Sequence, residues 1–189
     1  MTEKGSITFR NVQVDDVALN MSIESLNERV FPFTHSTDKL HWLAGHFKGA
    51  PVDFVAIEEE LDFRGYAYVI NFFQASFISL LAILPEYHNQ GLGTALLAHL
   101  REMQGSRPIV LTAFSLDSGK EDIYLLVRRR YFYIKNGYVD QHIPFPSASN
   151  HESDVYVNGS DLDYIELTAT LDKVRMFFNS LIHYQLDIK

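Results

Sequence analysis

The segment Leu84-Pro-Glu-Tyr-His-Asn-Gln-Gly-Leu-Gly-Thr-Ala-Leu-Leu97 constrains this chain more than any other part of it. An apolar, strand-like run ends at Leu84, a polar turn containing Gly91 and Gly93 follows, and a helical pattern of Leu92, Ala95, Leu96, Leu100 and Met103 begins at once. A buried strand that runs through a turn directly into a helix aims several unpaired backbone N–H groups and the positive end of the helix dipole at one point. That arrangement reads as an anion cradle. Gly91 and Gly93 let a pyrophosphate approach the main chain with no Cβ in the way, and Thr94 adds a hydroxyl. The turn is not a dinucleotide-binding fingerprint, because the third glycine is missing and the strands before it form a meander. It is not a P-loop either, since no Gly-Lys-Ser/Thr follows.

The pattern on either side places this segment in the middle of an α/β fold. Period-two alternation predicts a strand over Ser6 to Val12, followed by a helix capped by Asp15-Asp16 that runs to Val30 and stops at Phe31-Pro32-Phe33. A second helix starts after Ser36, Thr37 and Asp38 and ends at Gly49-Ala50-Pro51. Three strands follow as an antiparallel meander, Val52 to Glu58, Tyr66 to Phe72 and Phe77 to Leu84, the first two joined by Asp62-Phe-Arg-Gly65. The helix after Leu92 and a buried strand over Ile109 to Phe114 then imply a parallel crossover. Ile123 to Lys135 reads as a further helix that leads through Gly137 into a strand from Tyr138. The stretch from Ile143 to Gly159 reads as the least ordered, Asp163 to Thr170 as a closing strand, and Val174 to Ile182 as an amphipathic last helix. No internal repeat or linker divides the chain. The expectation is one domain over residues 1–189, with its motif core at 76–138 and a C-terminal strand and helix at 160–186.

Composition narrows the function classes. Sixteen Lys and Arg against twenty-four Asp and Glu give a net charge of -8, the wrong sign for collecting phosphate backbones, so no nucleic acid is expected as a partner. No apolar stretch approaches the roughly 20 residues that span a bilayer, and no membrane association is expected. The segment Met1 to Ile7 lacks the apolar run of a secretory signal, which sets a cytoplasmic location as the expectation. The absence of cysteine excludes disulfides, thiolate metal sites and a cysteine nucleophile. The histidines His35, His41 and His46 have no metal-ligand spacing, and no metal is expected.

Two motifs together carry a resemblance. His88-Asn-Gln-Gly91-Leu-Gly93, after a strand and a Pro-x-Tyr turn, resembles motif A of the GNAT superfamily of acyl-CoA-dependent N-acetyltransferases, written Arg/Gln-x-x-Gly-x-Gly/Ala. Phe132-Tyr133-Ile-Lys135-Asn-Gly137-Tyr138, at the end of the next helix, resembles the second signature of the family. His88 departs from the usual Arg or Gln, and the helix before Tyr133 lacks the Asn and Ala that many members carry near Leu126 and Arg129. The resemblance implies a mixed, largely antiparallel central sheet with splayed middle strands and helices on both faces. It implies acetyl-CoA as co-substrate, with the pantetheine arm on main-chain groups near Leu81, Ala82 and Ile83 and the phosphates on His88, Asn89, Gln90, Gly91, Leu92, Gly93 and Thr94.

The reaction so implied is direct attack of a primary amine, of a small molecule or a peptide, on the thioester. A main-chain N–H steadies the oxyanion and the leaving thiolate takes a proton. Tyr133 is the candidate acid, because a phenol has a reference pKa near 10 and stays protonated at neutral pH. The general base stays open among Glu58, Glu59, Asp117, Glu121 and a water held by Ser79, with Glu58-Glu-Glu60 reading more simply as a solvated strand end. Arg128-Arg-Arg130 reads as a solvated helix face, and Trp42, Phe31, Phe33 and Phe47 as core or as an apolar wall for the acceptor. The last helix leaves two uses open, packing on its own domain or pairing two copies in a homodimer. The alternative from another class is a non-catalytic CoA-binding sensor or interaction module that keeps the cradle without turnover.

Overall fold

The computed structural model describes residues 5–31, 37–46, 51–116, 122–146, 152–159 and 162–184. The chain forms two compact units, Met1–Asn71 with Ser79–Met103, and Phe72–Ile78 with Gln104–Lys189.

The first unit holds β1 (Ile7–Asn11), α1 (Val17–Val30), α2 (Thr37–His46), β2 (Val52–Glu59), β3 (Asp62–Asn71), most of β4 (Ser76–Ile83) and α3 (Leu92–Gln104), in the strand order β1-β2-β3-β4. β1 pairs antiparallel with β2, and β2 with β3. Asp16 caps α1 by accepting from the Leu19 N–H at 3.1 Å, as the sequence led one to expect. The β2–β3 connection is tighter than the four residues read from the sequence. Glu60 and Leu61 alone form it, both at positive φ (53° and 70°), the two-residue hairpin whose twist matches its strands.

A bulge lies just beyond that hairpin. Ile57 pairs with Gly65 and Glu58 with Phe63, so Arg64 is left over in the register. The core of the unit is built on Ile23, Leu26, Ile57, Ile70, Leu96 and Leu100, each essentially sealed from solvent. Two buried phenols are tied into it. Tyr66 donates to the Asn27 side chain and Tyr68 donates to the Leu40 carbonyl at 2.8 Å, and burial pushes the pKa of both upward.

The second unit holds the first residues of β4, then β5 (Ile109–Phe114), α4 (Ile123–Lys135), β6 (Val139–Pro146), β7 (Glu152–Asn158) and α5 (Tyr164–Tyr184), in the strand order β4-β5-β7-β6. β4 and β5 are parallel, and their ladder spans three pairs, from Ser76↔Ile109 to Ile78↔Leu111. β7 is antiparallel to both β5 and β6. The sheet of the fold is therefore mixed and largely antiparallel, as expected.

Two sequence expectations fail in this unit. The stretch from Ile143 to Gly159, read as irregular, contains the end of β6 and all of β7. Its run Asp154-Val-Tyr-Val157 supplies β-branched and aromatic side chains that sit buried on the sheet. Asp163 to Thr170, read as a closing strand, is instead the start of α5. A capping box decides it: the Glu166 N–H donates to Asp163 Oδ1 at 2.8 Å, and the Asp163 N–H reaches Glu166 Oε2 at 3.4 Å. Leu167, Leu171, Val174 and Phe177 then form one buried stripe at helical spacing, which overrides the strand preference of Tyr164, Ile165 and Thr168. Among the described residues no helix is long and apolar enough to cross a membrane.

Candidate active site

In the first unit the turn between β4 and α3 has the geometry of a cradle. A single turn of 3-10 helix over Pro85–Tyr87 follows Leu84, and the chain then passes through Asn89 and Gly91 at positive φ (64° and 89°) before α3 starts. The Ala95 N–H closes the first helical turn on the Gly91 carbonyl at 2.9 Å. Helix geometry consequently leaves the N–H groups of Leu92, Gly93 and Thr94 without an acceptor inside the helix. Gly91 is exposed, and a Cβ built on it would meet nothing within 4 Å. A side chain there would stand in the open space in front of those donors.

The expected ligand residues divide by what they offer. Leu92 buries its side chain and anchors the helix, so only its main chain faces outward; Gly93 is half-buried and Thr94 exposed. Gln90 donates from Nε2 to the Glu86 carbonyl at 3.3 Å. His88 turns back on its own strand, with Nε2 at 2.9 Å from the Ile83 carbonyl, a contact that requires the Nε2–H tautomer. It therefore serves as a clasp between the end of β4 and the turn. Leu81 is half-buried, and Ala82 and Ile83 are buried.

Residues that the sequence reading did not single out shape this turn from the β3 side. The bulge sends Arg64 over the ring of Tyr87, 4.1 Å from its centroid, and the Arg64 carbonyl accepts from the Leu84 N–H at 2.8 Å. Gly65, next in the chain, lies so close to β4 that a Cβ on it would stand 2.9 Å from Ile83 Cα and nearer still to the Ala82 carbonyl. The sequence places Gly65 at the end of the β2–β3 connection, and only its pairing with Ile57 within β3 brings it against β4.

The carboxylates named as bases resolve differently. Glu58 is not a solvated strand end: its side chain is buried, and Arg10 donates to its Oε1 from Nη2 at 2.7 Å and from Nε at 3.2 Å while also pairing with Asp16. Glu59 lies 3.4 Å from Arg64. Asp117 and Glu121, like Phe33 and Phe47, lie outside the described residues.

In the second unit Tyr133 is half-buried among other rings. Its ring centroid is 5.3 Å from Phe132, 6.0 Å from Tyr138 and 5.7 Å from Tyr156. The chain turns back here because the Tyr138 N–H bonds the Tyr133 carbonyl at 3.1 Å across Gly137, which sits at φ 82° and closes the helix. Arg130, read as solvated, instead pairs with Asp140 at 3.0 Å and lies 4.0 Å from Asp154. These charges surround Tyr156, whose phenol pKa burial pushes up to about 12, Asp140, Asp154 and Tyr133 adding to the rise while Arg130 opposes it. Among the described residues no group of three or more His, Asp or Glu side chains is arranged to hold a metal ion.

Residues 45–140 match the sequence profile of the acetyltransferase (GNAT) domain. A putative GNAT-family acetyltransferase from Bacteroides thetaiotaomicron is similar in fold, with a TM-score of 0.71 and 21% identity over 88% of this chain and 95% of that one. The ribosomal-protein-S18-alanine N-acetyltransferase from Escherichia coli aligns with a TM-score of 0.59 and 15% identity over 84% of this chain and all of the other. An aminoglycoside 6'-N-acetyltransferase complexed with coenzyme A aligns with a TM-score of 0.62 and 16% identity over 80% of this chain and 96% of that one. Comparison with curated protein sequences gives no match.

Proposed function

The chain belongs to the GNAT acetyltransferase family, and from that membership we propose that it moves an acetyl group from acetyl-CoA to a primary amine of a small molecule or peptide. The observation that carries the reading is the turn itself: Gly91 at φ 89°, a clear approach in front of it, and three helix-end N–H groups behind. A pyrophosphate fits that donor set, since amide N–H groups and the helix dipole both favour an anion. Leu81, Ala82 and Ile83 supply main-chain partners for the pantetheine amides, and Asn89 to Thr94 hold the phosphates. His88 contributes by holding Ile83 and the turn together rather than as a phosphate ligand.

With the thioester held, the amine nitrogen attacks the carbonyl carbon and a β4 N–H steadies the oxyanion. The C–S bond breaks as the tetrahedral intermediate collapses, and Tyr133 gives its phenolic proton to the departing sulfur. The proton lost by the attacking nitrogen goes to solvent. The similar structures that hold coenzyme A, or whose descriptions name an aminoglycoside or a ribosomal protein, support the co-substrate and the amine class without choosing an acceptor.

The test is CoA release from acetyl-CoA across a panel of polyamines, aminoglycosides, amino acids and peptides, for wild type and Tyr133→Phe. An enzyme of this kind turns over at least one amine class, and the Phe variant keeps acetyl-CoA binding while losing roughly 100-fold or more in kcat. Acetyl-CoA binding without release for any amine would favour the sensor reading.

A further inference from the structure

Tyr156 lies in β7, where it pairs with Leu111 of β5 and with Asp140 of β6. It is 1% exposed, yet its hydroxyl has no hydrogen-bond partner among the described residues. Buried hydroxyls are nearly always satisfied, and one that lacks a protein partner is commonly met by an ordered water. Tyr66 and Tyr68, buried as deeply, follow the rule through Asn27 and Leu40. The exception sits against Tyr133, ring to ring at 5.7 Å and 40°.

We propose that the Tyr156 hydroxyl holds one water against the Tyr133 hydroxyl and so acts as a positioning residue for Tyr133. The inference rests on the reading of Tyr133 as the acid. A substrate group does not suit the position, because a hydroxyl sealed this far from solvent is reached by a water but not by an amine carried on a larger acceptor. The surroundings suit a water, which needs two to four polar partners: the two phenols, with Arg130, Asp140 and Asp154 near Tyr156. Tyr156 itself stays protonated at neutral pH, since burial holds its pKa near 12, and it serves as a fixed donor and acceptor.

The water also closes the proton count. Tyr133 loses its O–H proton as the S–H bond of CoA forms. The phenolate then takes a proton from the bridging water, which is restored from solvent. The attacking nitrogen has released one proton to solvent, so none is gained or lost.

Two measurements on the full chain test this. The first is a crystal structure with CoA bound, at a resolution that shows ordered water; a water within hydrogen-bond distance of both phenol oxygens is expected, and its absence beside Tyr156 overturns the proposal. The second is kinetic, using the acceptor found in the amine panel and the variants Tyr133→Phe, Tyr156→Phe and their combination. Tyr156→Phe is expected to keep the CoA Kd and the Tm while kcat falls about tenfold, a share of what a general acid supplies. The double variant is expected to be no slower than Tyr133→Phe alone, because the two act as one unit. Wild-type kcat in Tyr156→Phe, or losses that multiply in the double variant, overturns the inference and leaves the acid assignment standing. Wild-type kcat in Tyr133→Phe removes the acid assignment instead, and the inference with it.

Discussion

Gly65→Ala is the substitution that most sharply links the fold to the proposed site. The new Cβ would stand 2.9 Å from Ile83 Cα and 2.7 Å from Ile83 Cδ1, with the Ala82 carbonyl nearer still. Carbon atoms in ordinary contact sit about 3.5 to 4.0 Å apart, so the β4 main chain at Ala82 and Ile83 must retreat by roughly 0.5 to 1 Å. The side chain of Ile83 can rotate away, but the two backbone atoms cannot. Overpacking of this kind costs about 1 to 3 kcal/mol, or a Tm lowered by roughly 4 to 8 °C for 2 kcal/mol in a chain of this size. The same displacement moves the main-chain groups proposed for the pantetheine arm. Losing one such bond costs about 0.5 to 1.5 kcal/mol, a two- to tenfold weaker Kd for acetyl-CoA. Thermal unfolding and calorimetric titration below the Tm read the two effects separately. Leu171→Ala is the control, since it empties a buried α5 position in the second unit and should cost about 2 to 5 kcal/mol with no change in Kd. A Gly65→Ala protein that binds acetyl-CoA like wild type would refute the argument that β4 carries the arm at Ala82 and Ile83.

Gly91→Ala meets no atoms but forces a Cβ into the left-handed region, so it should cost about 1 to 2 kcal/mol in urea unfolding and weaken acetyl-CoA binding beyond that loss. Asp163→Ala removes the acceptor for the Glu166 N–H and should destabilise the protein by about 1 kcal/mol without altering acetyl-CoA affinity. For pH, desolvation holds the His41 and His99 imidazoles below their usual pKa, against the opposing pull of Asp38 and Glu102. The unfolded chain therefore takes up protons first, so stability is full above about pH 6.5 and declines as pH falls below it. Urea midpoints measured from about pH 7.5 to 5.5 should show that decline, and a His41→Gln, His99→Gln variant should flatten it.

The parts of the fold that were legible in the sequence are those where a local signal and the tertiary outcome agree. Asp16 before an apolar-periodic stretch, the alternating meander, and Gly137 at the end of α4 each dictate a backbone geometry by themselves. The turn from His88 to Thr94 was legible for the same reason, because its chemistry is main-chain chemistry and glycine reports it. Asp163 was misread because Tyr164, Ile165 and Thr168 favour a strand, and the Asp-x-x-Glu box with its buried stripe outweighed them. Glu58, Arg130 and Tyr156 were beyond the sequence reading for a different reason. Each depends on a partner far along the chain: Arg10 for Glu58, Asp140 for Arg130, and the Tyr133 ring for Tyr156. The bulge that brings Arg64 and Gly65 against the end of β4 likewise exists only once β2 and β3 have paired.

If the turn before α3 is an acetyl-CoA site, the folded protein gains stability from that ligand at equilibrium. Thermal unfolding with acetyl-CoA, CoA, ATP and NAD in parallel gives the comparison, because a ligand at about 100 times its Kd adds roughly 2.7 kcal/mol to the folded state. Stabilisation by acetyl-CoA and CoA is expected, none by ATP or NAD, and a reduced shift in Gly91→Ala. No response to saturating acetyl-CoA would contradict that site assignment.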